Sequence, residues 1–166
     1  MNRNLITFFF IAMVVLIIGD SCKKESVPED TDLYAEIMNT AGFEYYKNNS
    51  ALQLSSKQSD HNAYFRIRFN SIAKVVLTDN GKLPNGGSFP DGSVIVTELF
   101  DASPGNVQIY AVMKKSKSAN AVNGWLWAEF QPDKTTAYSV SKKGADCTSC
   151  HSTNARDNVR VFNQFP

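Results

Sequence analysis

Tyr64-Phe65-Arg66-Ile67-Arg68-Phe69-Asn70 alternates without a break: Phe65, Ile67 and Phe69 point one way, Tyr64, Arg66, Arg68 and Asn70 the other. A period of two with one apolar face is the signature of a half-buried strand. Downstream, Val94 to Phe100 is a second strand. Asp101 to Asn106, with Pro104 and Gly105, is a tight turn, and Val107 to Met113 returns as the partner of a hairpin. Trp125 to Phe130 adds another strand, ended by Gln131, Pro132 and Asp133. Gly81 to Gly92 is dense in Gly, Pro, Asn and Asp and reads as a loop. Ser71 to Leu77 suits either a short helix or a strand. Upstream, Asp32 to Lys47 has helical spacing, with Leu33, Ile37, Met38 and Ala41 on one side, Asp32 at the cap and Gly42 weakening the middle. The expected fold class is α+β: a mostly antiparallel sheet with flanking helices.

The C-terminal segment carries the chemistry. Cys147-Thr148-Ser149-Cys150-His151 is a C-x-x-C-H run, the attachment signature of a c-type haem. Two thiols at this spacing can each add to one vinyl group of the porphyrin, and His151 is then carried under the iron as an axial ligand. A thioredoxin-like pair would need a surrounding βαβ pattern, which is absent. Zinc would need four ligands, and beyond Cys147, Cys150 and His151 the mature chain has only the distant His61. One covalent haem c is therefore expected.

The N-terminus speaks to the compartment. Arg3 precedes an apolar run from Leu5 to Ile18, which reads as a secretory signal over residues 1–21. Gly19, Asp20 and Ser21 lead directly into Cys22 and resemble a bacterial lipoprotein cleavage box, although Asp20 is unusual there. On this reading Cys22 is lipidated, residues 22–31 form a charged, proline-bearing tether, and residues 32–166 form one haem domain of about 135 residues. The alternatives are a Cys22 discarded with the signal, or an uncleaved anchor. Lipidation at Cys22 would leave only Cys147 and Cys150 as thiols, consistent with covalent haem attachment outside the cytoplasm. The expected location is extracytoplasmic, on a membrane, through a lipid anchor. A formal net charge of +1 offers no electrostatic case for a nucleic-acid partner.

Phe89-Pro90-Asp91-Gly92-Ser93-Val94-Ile95-Val96, then Glu98, Trp125 to Phe130 and the terminal C-x-x-C-H, resemble the cytochrome P-460 family and its relative cytochrome c′-beta. The likeness runs from about Tyr64 onward. It implies a small antiparallel-sheet domain, often a homodimer, with a five-coordinate haem iron held by the proximal histidine. In cytochrome P-460 itself a lysine after the V-x-V strand is cross-linked to the porphyrin, and the enzyme oxidises hydroxylamine. Here that position is Thr97, which has no amine; Lys114 and Lys115 could in principle substitute. The resemblance to cytochrome c′-beta therefore weighs more, implying an open iron that binds nitric oxide or another small gaseous or nitrogenous ligand.

Thr97 shares a strand face with Ile95 and Leu99, so its hydroxyl is expected in an apolar setting, either bonded to its own backbone or in a distal pocket. His61 is a candidate distal donor or sixth ligand, or a solvated loop residue. Met113 could supply a thioether, though packing suits it better, and Arg66 or Arg68 could meet haem propionates. Two other functions stay open: an oxidoreductase acting on hydroxylamine, another small nitrogen compound or peroxide, and a six-coordinate electron-transfer cytochrome. The first needs a proton-handling group over the haem, and Glu98 should point away from Thr97. The second needs Met113 or His61 at the iron. The redox partner is not identified by any motif.

Overall fold

The computed structural model describes residues 27–54, 61 and 64–164. The expected signal, Cys22 and the first part of the tether lie outside them. Seven antiparallel strands form one sheet: β1 (Phe43–Tyr45), β2 (Gln53–Leu54), β3 (Tyr64–Asn70), β4 (Val94–Phe100), β5 (Val107–Lys115), β6 (Trp125–Phe130) and β7 (Thr136–Tyr138). Their order is β1-β3-β4-β5-β6-β7, with β2 also paired to β3. Four helices, α1 (Pro28–Met38), α2 (Ser71–Lys74), α3 (Thr148–His151) and α4 (Val161–Gln164), flank it. The chain is thus α+β, dominated by an antiparallel sheet.

Register turns the sequence alternation into two chemical faces. Ile67, Thr97, Ala111, Glu129 and Tyr138 are successive cross-strand partners in one row, and Phe69, Ile95, Met113 and Trp127 form the next row on the same face. The opposite face carries Val94, Val96, Val112, Leu126, Ala128 and Phe130, packed with Leu33, Tyr34 and Ile37 of α1. An isolated helix of 11 residues is marginal in water. Burying Leu33 and Ile37 to 2% and 0% exposure supplies what propensity lacks, roughly 1.5–3 kcal/mol for each side chain.

That helix starts earlier than expected, at Pro28, and ends at Met38. Pro28 occupies a first-turn position, where a missing N–H costs nothing, and Asp30 in the same turn is wholly buried, its Oδ1 accepting from Val140 N at 2.9 Å. Residues 28–31 are therefore helix and not tether. The second half of the expected helix is absent, since Gly42 takes φ +80 and the chain turns into β1. Ser71–Lys74 resolves as a helix because Asn70 caps it: Oδ1 accepts from Ala73 N at 2.9 Å and from Val94 N at 3.0 Å, tying α2 to the start of β4.

On the face away from α1, Phe69, Phe89, Trp125, Trp127, Val159, Val161 and Phe162 form a second core. It joins the sheet to the 71–92 segment and to the C-terminal segment.

Candidate functional site

Cys147 precedes α3, and His151 N donates to Cys147 O at 3.1 Å, closing a single helical turn. Positions i, i+3 and i+4 share one face of a helix, so Cys147, Cys150 and His151 project together. They line a cavity of about 460 Å³, the size class of small-molecule and cofactor sites. Its other wall is the sheet, through Ile67, Thr97, Ala111, Met113, Trp127 and Glu129, with Phe65, Ile95 and Leu99 extending the apolar lining. His61 borders the same cavity, its ring centroid 6.4 Å from that of His151.

The state of His151 follows from its neighbours. Nδ1 lies 2.9 Å from Asn158 O, and a carbonyl only accepts, so Nδ1 carries the proton and Nε2 keeps its lone pair. Burial pushes the imidazole pKa below its ordinary value; the bond to Asn158 opposes this, while His61 and Arg160 add to it. The neutral form is the one that ligates a metal. Trp127 stands edge-on to the ring at 4.9 Å.

Cys147 is pushed up to about 11, first by burial and then by Glu129 and Asp146. A thiol held protonated is the opposite of the lowered thiolate of a redox dithiol. Among the described residues, no group of three or more His, Cys, Asp or Glu is placed to hold a metal ion by side chains alone.

Several candidates fall elsewhere. Arg66 and Arg68 both pair with Glu98 on the α1 side of the sheet, and Arg68 Nη2 also donates to Ile37 O at 2.7 Å. Neither arginine lines the cavity, and nor does Glu98, because successive strand residues face opposite ways. Lys114 pairs with Glu36 of α1 at 2.7 Å, and Lys115 reaches Asp157 at 2.7 Å; no lysine is among the lining residues.

Among the cavity-lining residues missing from the sequence reading are Glu129 and Arg160. Glu129 follows Trp125 and Trp127 on one face, so a lone acid at the end of an apolar alternation was the available signal. Arg160 gives no such signal between Val159 and Val161. Its Nε is buried without a hydrogen-bond partner among the described residues, a vacant donor beside the cavity.

The donor set therefore fits a haem. Two thiols and an imidazole with a free Nε2 share one helical turn, the walls are largely apolar, and Arg160 offers a cation suited to a propionate. No curated protein sequence matches the chain. A family model described as Cytochrome P460 matches residues 43–163, from β1 into α4.

Proposed function

The chain belongs to the cytochrome P460 family and is a haem cytochrome, and from that premise we propose that it is an extracytoplasmic, membrane-tethered protein with one covalent haem c and an axial position left open for a small ligand such as nitric oxide. The observation that carries this reading is the convergence of Cys147, Cys150 and the Nε2 side of His151 on the cavity bordered by Thr97. Cys147 and Cys150 would hold the porphyrin through thioethers, His151 would ligate the iron, and Arg160 would receive a propionate. When bound, the haem supplies an iron that takes a gaseous or nitrogenous ligand.

The surrounding residues set what such a ligand meets. Ile67, Ala111, Ile95 and Leu99 keep the wall around Thr97 apolar. Within that wall the Thr97 hydroxyl is the hydrogen-bond donor for the ligand. The lipid anchor is Cys22, and a homodimer is consistent with the family resemblance.

Absorption spectra of the purified mature domain, ferric and ferrous, before and after nitric oxide, test the proposal. A high-spin ferrous form that shifts with the gas is expected, and Thr97→Val should speed loss of the bound ligand about fivefold, in line with one hydrogen bond of about 1 kcal/mol. A low-spin ferrous spectrum with a sharp alpha band that ignores the gas would remove an open iron and leave His61 or Met113, both at the cavity, as a sixth ligand.

One observation favours a second reading, an oxidoreductase acting on hydroxylamine or a related small compound. That chemistry needs a proton-handling group at the cavity, and Glu129 is a carboxyl group there, whereas Glu98 is not. Turnover of hydroxylamine that is lost in Glu129→Gln would favour this reading over simple ligand binding.

A further inference from the structure

The bond that sets the His151 tautomer ends on a backbone carbonyl, and what holds that carbonyl still is a separate matter. Asn158 lies in a two-residue turn closed at both ends, with Val159 N donating to Arg156 O at 3.0 Å and Arg156 N to Val159 O at 3.1 Å. Asp157 and Asn158 have φ +48 and +64, so both central residues are left-handed, as in a type I′ turn. The chain makes the same closed turn at Asn80-Gly81 and Asn123-Gly124, each with glycine second, the residue for which this conformation is easiest. At 157–158 there is no glycine. A turn of two L-residues in this region is strained and needs its surroundings to hold it.

Asp157 supplies the hold. Its carboxylate accepts from Lys115 Nζ at 2.7 and 2.9 Å, from Phe89 N at 2.8 Å, from Ser88 Oγ at 3.1 Å and from Trp125 Nε1 at 3.4 Å. The ion pair is largely shielded, with side-chain exposures of 15% for Lys115 and 11% for Asp157. On the neighbouring corner, Arg156 Nη1 pairs with Asp79 and donates to Leu83 O. The turn is thereby fixed to the Phe89 loop and to the ends of β5 and β6.

We propose that Asp157 is a positioning residue for the axial ligand: through Lys115 and the Phe89 amide it holds the Asn158 carbonyl against His151 Nδ1 and so sets how strongly the imidazole donates to iron. The inference rests on the reading of His151 as that ligand. A hydrogen bond to the far nitrogen makes a ligating histidine more basic, which favours ferric over ferrous iron. Loosening the carbonyl therefore makes the haem easier to reduce.

The test uses haem-loaded protein and three variants, Asp157→Ala, Asp157→Asn and Lys115→Met, each read by reduction potential and by the ferrous iron–histidine stretch. Asp157→Ala should favour reduction about tenfold, equivalent to about 59 mV more positive for one electron, and lower the stretching frequency. Lys115→Met should move both the same way by less. Asp157→Asn tolerates the left-handed backbone and can still accept from Phe89 N, so it should recover most of the wild-type values. Variants that unfold more easily but keep potential and frequency would reduce Asp157 to a staple between loops and overturn the proposal. Should Asp157→Ala fail to take up haem, Lys115→Met decides, because it leaves the turn residues untouched. His151→Ala separates the two readings. An unchanged haem spectrum in that variant removes the ligand assignment and this inference with it, whereas a changed spectrum beside unmoved Asp157 and Lys115 variants removes this inference alone.

Discussion

Gly144 governs how closely the Cys147–His151 segment approaches the sheet. It has φ +60, and a Cβ there would stand 2.5 Å from Trp127 Cδ1 and 2.8 Å from Cγ. The same indole packs against His151, so the absence of a side chain at 144 lets Trp127 support that imidazole. Gly86 is the natural control, with φ +75 and nothing within 4 Å of its missing Cβ. Gly86→Ala should cost about 1–2 kcal/mol, the left-handed backbone alone, and Gly144→Ala about 1–3 kcal/mol more for overpacking. Urea unfolding of the haem-loaded domain measures both; equal losses would show that the Trp127 contact relaxes freely. At this scale the sequence was legible where side chains carry the chemistry. The parity that puts Thr97 with Ile95 and Leu99, and Glu98 on the other side, is the arrangement found. It could not reveal Asn158, whose contribution is a carbonyl that every residue possesses, nor Asp157, whose partners are far away along the chain.

Three strands were readable to their ends: Tyr64–Asn70 from its alternation, and Val94–Phe100 and Trp125–Phe130 from the turn residues that bound them. β1, β2 and β7, of two or three residues, are too short to display a period and owe their pairing to the neighbouring strand. The first helix was misplaced because Asp32 looks like a cap, whereas Val27 precedes the helix and Asp30 works at long range. Asp30 joins α1 to Val140, which begins the turn leading into the Cys147–His151 segment, so the helix braces that segment from the far side of the sheet. Asp30→Ala leaves the buried Val140 N–H unpaired and should cost about 1–3 kcal/mol, while Asp30→Asn keeps an acceptor and should cost less. Thermal unfolding of the two variants distinguishes them. A loss as large in Asn as in Ala would mean that the carboxyl's charge, and not its acceptor oxygen, matters.

For the molecule as a whole, the use of cysteine connects the two ends of the chain. Of its three cysteines, Cys147 and Cys150 face the cavity with free thiols, and Cys22 lies in the N-terminal stretch that resembles a lipoprotein signal. Among the described residues no helix is long and apolar enough to cross a membrane; the proposed tether lies in residues 1–22. On the proposed reading lipidation and haem attachment both follow export, and they are separable. Cys22→Ser should release the protein from the membrane fraction into the soluble extracytoplasmic fraction with its haem still bound through denaturing electrophoresis, since the domain's cores and cavity lie downstream of residue 26. Removal of residues 1–21 should instead keep the chain in the cytoplasm without covalent haem. The informative failure is a Cys22→Ser protein that stays on the membrane with haem attached: the apolar run Leu5 to Ile18 would then be an uncleaved anchor, and Cys22 an ordinary thiol.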